Sequence, residues 1–126
     1  MGSVLIVEDN KDMQFLLSHI LNGQGISTII AGNAYAAMQE IEKSIPDLVL
    51  LDIRLPGMDG LEALKRIKQK YKDIQTIMIT AYSSIANRAE ALELGANDYI
   101  TKPFNNDELI FKIREGLKKS SVRDIS

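Results

Sequence analysis

The sequence predicts a doubly wound α/β domain, and three observations carry that reading. Leu48-Val49-Leu50-Leu51 and Val4-Leu5-Ile6-Val7 are unbroken apolar runs, too short for helices and without polar alternation, as in strands covered on both faces. Between such runs, apolar residues recur at helical spacing and are bracketed by capping and terminating residues. Strand and helix then alternate five times along the chain, which implies parallel strands, right-handed crossovers and helices on both faces of one sheet.

Each element follows from its residues. The first run ends at Glu8-Asp9; Asn10 is placed as an N-cap, and Met13, Leu16, Leu17, Ile20 and Leu21 form the inner stripe of a helix closed by Gly23 and Gly25. Phe15 falls off that stripe. Residues 26–31 make the second strand, and Asn33 caps a helix lined by Ala34, Met38, Ile41 and Ile45 that Pro46 terminates. The central strand, 48–51, stops at Asp52 and meets Pro56, Gly57, Asp59 and Gly60, which are loop chemistry. Asp59 and Glu62 then resemble a capping box for a helix whose Leu61, Leu64, Ile67 and Tyr71 face inward. Residues 76–80 are the fourth strand. Ser83 or Ser84 opens a helix with Ile85, Ala89 and Leu92 inside, closed by Gly95. Residues 98–101 form a short last strand ending at Lys102-Pro103, and Asn105 and Glu108 cap a final helix built on Leu109, Ile113 and Leu117. The domain is expected over 1–120, with the polar 121–126 end as a tail or the start of a linker.

Composition narrows the function classes. With 126 residues the chain makes one compact domain, and a net charge of −2 gives no global basic field for nucleic acid or an anionic membrane. Cysteine is absent, which excludes disulfides, thiolate catalysis and cysteine metal sites. No apolar run approaches the ~18 residues of a membrane span, and the amino terminus lacks a signal pattern, so the protein is read as cytoplasmic, with neither membrane nor direct nucleic-acid binding.

The chemistry stands where the strands end: Glu8 and Asp9, Asp52, Thr80 and Lys102. In the doubly wound order 2-1-3-4-5, a flavodoxin-like (βα)5 arrangement, the first and third strands are neighbours at the switch point, which brings three carboxylates into one crevice. Carboxylates that close repel, so either one stays protonated or a hard cation resolves the conflict. With oxygen donors and no nitrogen or sulfur ligands nearby, Mg²⁺ fits better than zinc. A strand-ending acid alone is more often a cap or turn residue. Their joint placement with a threonine and a lysine is what points to a site.

Taken in order, VLIVEDN, LVLLDIRLPGMDG, ITAY and DYITKPF resemble the receiver domains of two-component response regulators, which histidine kinases phosphorylate on aspartate, and the resemblance spans essentially the whole chain. It implies Asp52 as phosphoacceptor, Glu8 and Asp9 as the acid pair around Mg²⁺ together with Asp52, and the Arg54 backbone carbonyl as a further metal ligand. Thr80 and Lys102 are implied as phosphoryl contacts, and Tyr99 with Thr80 as switch residues. Receivers usually have a cis bond at the corresponding Lys-Pro, whereas the residues alone favour an ordinary trans bond. Arg54 and Tyr82 are implied to flank the path of an attacking water; both are bulky, which predicts slow loss of the phosphoryl group.

The implied partner is a sensor histidine kinase or a histidine phosphotransferase. The implied output is an attached domain or a homodimer, reached through the helix after Ser84, the last strand and the final helix (α4-β5-α5), where Ile110 and Phe111 lie beside the inward stripe. A role as phosphorelay intermediate is the alternative. Phe15 is a candidate docking residue, and His19 a solvated surface residue rather than a phosphate carrier. A related aspartyl-phosphate phosphatase calls for an acid two residues after the nucleophile, where Arg54 stands, and a flavin binder for a phosphate-cradling loop where Glu8-Asp9 repel phosphate.

Overall fold

The structure is a computed structural model that describes residues 2–81 and 84–125, with side chains through position 120. Elements alternate as β1 (Ser3–Val7), α1 (Lys11–Gly23), β2 (Ser27–Ala31), α2 (Ala34–Lys43), β3 (Leu48–Leu51), α3 (Gly60–Lys70), β4 (Gln75–Thr80), α4 (Ile85–Glu93), β5 (Asp98–Thr101) and α5 (Asn106–Ile125). The strands form one sheet in the order β2-β1-β3-β4-β5, every pair parallel. This is the predicted flavodoxin-like arrangement, with β1 and β3 paired at the switch point.

Alternation along the strands feeds two cores. Val4, Ile6, Leu50, Ile77 and Ile79 turn to one face and meet Leu17 and Leu21 of α1 and Leu109 and Ile113 of α5. Leu5, Val7, Val49, Leu51 and Met78 turn to the other and meet Ile41 of α2, Leu64 and Ile67 of α3 and Ala91 of α4. Full burial of an apolar side chain contributes about 1.5–3 kcal/mol, so β1, β3 and β4, whose apolar residues are all buried, are the anchor of the fold.

The caps are those the sequence marks. The side chains of Asn10, Asn33, Asp59 and Ser84 accept from the backbone N–H of Met13, Ala36, Glu62 and Asn87, and Asn105 accepts from Asp107 and Glu108. Ser83, the other candidate cap of α4, lies outside the described residues. Three apolar stripes need correction. Ile85 is 90% exposed and Leu92 and Ala89 are also exposed, so that Ala91 is the buried residue of α4. Ile45 lies beyond the end of α2 and is exposed, and Leu16 sits at the margin of the α1 stripe. Helical backbone also continues through 121–125, the segment expected as a tail or linker start.

At the sheet edge opposite the site, Asn97 joins two loops. Its Oδ1 accepts from the Thr76 N–H at 2.9 Å and from Lys68 Nζ at 3.1 Å, while its own N–H donates to the Thr76 carbonyl at 2.7 Å. Asn97→Ala removes the acceptor of a buried backbone N–H, and the expected loss is about 1–3 kcal/mol. Urea unfolding checks it: the midpoint should fall at constant m.

Candidate functional site

The carboxyl ends of β1, β3, β4 and β5 converge as predicted. Glu8 and Asp52 are carried directly beyond β1 and β3, and the Asp52 N–H donates to the Val7 carbonyl, which extends the ladder to the acid itself. Lys102 follows β5, and its N–H donates to the Thr80 carbonyl at 2.9 Å, fastening the lysine to the end of β4. The Lys102–Pro103 peptide is cis, not trans.

Lys102 Nζ lies 2.6 Å from Glu8 Oε1 and 2.7 Å from Asp52 Oδ2. The Asp52 Oδ1 accepts from the Arg54 N–H at 3.1 Å, and Glu8 Oε2 from the Asn10 N–H at 3.0 Å. Burial pushes the Glu8 carboxyl up from its ordinary value, with the Asp52 charge adding to this, and the bonds from Lys102 and Asn10 only partly oppose it. For Lys102 burial pulls downward, but its hydrogen bonds to Asp52 and Glu8 outweigh that and hold the ammonium above its usual range. The lysine is therefore charged at neutral pH.

An open pocket of about 490 Å³ lies over this group, walled by Asp9, Asp52, Arg54, Ala81 and Lys102 among others. The acid pair is thus divided. Asp9 is exposed and reaches the pocket, whereas Glu8, 2% exposed, is beneath it and committed to Lys102. Among the described residues, no three acidic or histidine side chains gather closely enough to form a metal cluster by themselves. The residues lining the pocket nonetheless include two carboxylates, Asp9 and Asp52, beside Arg54. That set fits a hard cation such as Mg²⁺, which takes one or two carboxylates and keeps several waters.

Thr80 ends β4 fully buried. Tyr99, implied as a switch residue, is already buried here: it is 1% exposed, with the Arg88 guanidinium 5.1 Å from its ring centroid. Its carbonyl accepts from Lys112 Nζ at 2.9 Å, and Lys112 also pairs with Asp98 and Glu108. Helices α4 and α5 therefore both grip β5 at Tyr99. Phe111 is exposed and Ile110 half-buried on that face. Phe15 is exposed and stacks on His19, ring centroids 5.9 Å apart, so His19 is a surface residue. Tyr82 lies outside the described residues; Arg54 is exposed on the pocket wall.

Two participants escaped sequence reasoning. Gln14 is a buried polar residue whose Nε2 donates to the Glu8 carbonyl at 2.6 Å. Gly60 packs against the backbone of Asp52 and Ile53, and its N–H donates to the Ile53 carbonyl at 2.7 Å. Nothing in a helix pattern distinguishes a glycine at the first turn from one required by close approach.

A parallel 2-1-3-4-5 sheet with acids, a threonine and a lysine at its switch point places the protein among doubly wound α/β domains that work at the carboxyl edge of the sheet. The sequence model of the response regulator receiver domain matches residues 4–114, and the chain belongs to that family, the receiver domains of two-component response regulators. It is 42% identical over 116 residues to sporulation initiation phosphotransferase F of Bacillus subtilis, covering 92% of this chain and 90% of the relative. It is 40% identical over 124 residues to the sensory transduction protein RegX3 of Mycolicibacterium smegmatis, covering 98% of this chain but 54% of the relative. The chain thus spans about half the length of that relative and of several others it matches. A solved CheY-like receiver domain protein from Methanospirillum hungatei superposes with a TM-score of 0.92 at 33% identity, covering 98% of both chains. No helix among the described residues is long and apolar enough to cross a membrane.

Proposed function

We propose that Asp52 accepts a phosphoryl group from a phosphohistidine of a sensor kinase, in a magnesium-dependent reaction, and that the change is relayed to the α4-β5-α5 face. The observation that carries this reading is the meeting of the Asp52 and Glu8 carboxylates on one charged lysine beneath an open pocket. Phosphoryl transfer asks a protein chiefly for an in-line nucleophile and charge stabilisation. An Asp52 oxygen forms the new P–O bond as the donor's P–N bond breaks; the bonding pair leaves with the imidazole, which takes a proton. Lys102 keeps Glu8 and turns its other contact from Asp52 to a phosphoryl oxygen, the Thr80 hydroxyl donates to another, and the small Ala81 leaves room for the donor. When bound, Mg²⁺ neutralises charge on the transferred oxygens. Asp9, Asp52 and the Arg54 carbonyl would hold it, with Glu8 behind them.

The switch reading rests on Tyr99 and Thr80. Burial of Tyr99 against Arg88, and its carbonyl bond to Lys112, link the end of the sheet to both helices of the output face. That face is the proposed surface for an output domain or a homodimer in a cytoplasmic signalling protein. A second reading, a phosphorelay intermediate that passes its phosphoryl group to a histidine phosphotransferase, is favoured by the match across 90% of a sporulation phosphotransferase.

Acetyl phosphate with Mg²⁺ is expected to add one phosphoryl group per chain, read by intact mass. No adduct under these conditions would refute the proposal. Asp9→Asn removes a pocket-facing charge outside the Lys102 pair, so the fold should persist while Mg²⁺ affinity falls at least about tenfold. Equal affinity in titrations of the variant would remove Asp9 from the metal site.

A further inference from the structure

Gln14 is a polar side chain that α1 turns inward, 7% exposed, and a leucine or methionine would fill the same volume. What the amide adds is a donor. Its Nε2 bonds the Glu8 carbonyl at 2.6 Å, and the Glu8 N–H in turn donates to the Ala31 carbonyl at 3.0 Å. A Cβ built on Gly32 would lie 3.8 Å from the same amide nitrogen, so Gln14 sits between the end of β1 and the turn after β2. The Asn10 N–H is held by Glu8 Oε2, and the Asn10 side chain caps α1. Asp9 is the link between these fixed points. Among the described residues, no side-chain hydrogen bond or ion pair orients its carboxylate, so its direction is set by the backbone that carries it.

We infer that Gln14 is a positioning residue for cation binding: by holding the Glu8 carbonyl it sets the direction in which Asp9 enters the pocket. The inference rests on the magnesium reading of the site. A neutral amide suits the task, because it supplies a hydrogen bond without placing a positive charge beside the ion. A lysine or arginine at 14 would keep the donor and oppose the cation. Partners that orient a ligand indirectly typically alter metal affinity by about 10–100-fold when removed.

The test is a Mg²⁺ titration followed by backbone amide NMR, well below the thermal midpoint, in the wild type, Gln14→Met and Gln14→Arg. Gln14→Met, of similar length and without a donor, is expected to shift the metal-free signals of Glu8, Asp9 and Asn10 and to lose about tenfold in affinity. Gln14→Arg keeps the donor and is expected to keep those signals, while its buried charge, little screened by salt, opposes the cation and weakens Mg²⁺ binding. Wild-type affinity in Gln14→Met, with only the thermal midpoint lowered, would overturn the inference and leave Gln14 a purely structural residue. If Gln14→Met does not fold, displacement of the metal-free Glu8, Asp9 and Asn10 signals in Gln14→Arg, which retains the donor, overturns it equally. A wild-type protein that binds no Mg²⁺ would instead remove the reading on which the inference rests.

Discussion

Replacing Asp52 by asparagine is expected to abolish covalent phosphorylation by acetyl phosphate while leaving the fold intact. The amide is isosteric and keeps an oxygen for the Arg54 N–H, but its NH2 is a donor and cannot accept from Lys102, so one hydrogen bond is lost while the pocket retains its shape. What it loses is the nucleophile. Lys102 keeps Glu8 at 2.6 Å, and removal of the Asp52 charge takes away one of the causes that push the Glu8 carboxyl upward. Intact-mass spectra should show a single adduct on the wild type and none on the variant; unchanged labelling of Asp52→Asn would mean that another residue accepts the group. The comparison is insensitive to Lys102 titration near neutral pH. A lysine whose folded value is raised contributes its full pairing below its unfolded value, ordinarily about 10.4, and loses it only as pH climbs past the folded one.

Gly60→Ala is expected to be the most damaging single methyl group in the chain. A Cβ at Gly60 would collide with the Asp52 carbonyl oxygen and lie 2.6 Å from the Ile53 Cα, and neither is a side chain that can rotate away. The segment after Asp52 must therefore move or α3 must lose its seat, with an expected cost of about 3 kcal/mol or more. Gly23 is the internal control, because a Cβ there meets nothing within 4 Å. Gly23→Ala should be neutral or stabilising by up to about 1 kcal/mol. Denaturant unfolding of the pair settles the matter. Equal stability of Gly60→Ala and wild type would show that the close approach can relax at little cost. In any folded fraction of Gly60→Ala, phosphorylation should also be slow, since the collision is with Asp52 itself.

How much of this was legible in the sequence depends on what each residue faces. Val4 to Val7 and Leu48 to Leu51 were readable because burial on both sides leaves no polar position to confuse the pattern. The site acids were readable for the complementary reason: a carboxylate interrupting such a run has to be at its end. Helix α4 misled because Ile85, Ala89 and Leu92 fall at helical spacing, and periodicity shows that an apolar face exists without showing what covers it. In the fold that face has almost no sheet left to cover, and Ala91, one small residue off the expected stripe, makes the contact. Gln14 was hidden by the opposite logic, as a polar residue inside a helix reads as a surface position until a buried carbonyl is known to need a donor. The division of Glu8 from Asp9, one under the lysine and one in the pocket, depends on loop direction, which neighbours in sequence cannot reveal.

The thin seating of α4 has a consequence for how much work a signal must do. A helix that enters the core through a single alanine is expected to resist displacement far less than β1 or β3, whose apolar residues are all buried. Amide hydrogen exchange along 85–93 should accordingly outrun exchange in those strands by orders of magnitude. A ligand moves an equilibrium only by its differential affinity for the two states, and couplings between sites are commonly about 1–3 kcal/mol. Against a densely packed helix such a bias would be lost; α4 offers less resistance, so on the proposed switch reading a small input at the pocket would be enough to change which surface the domain offers.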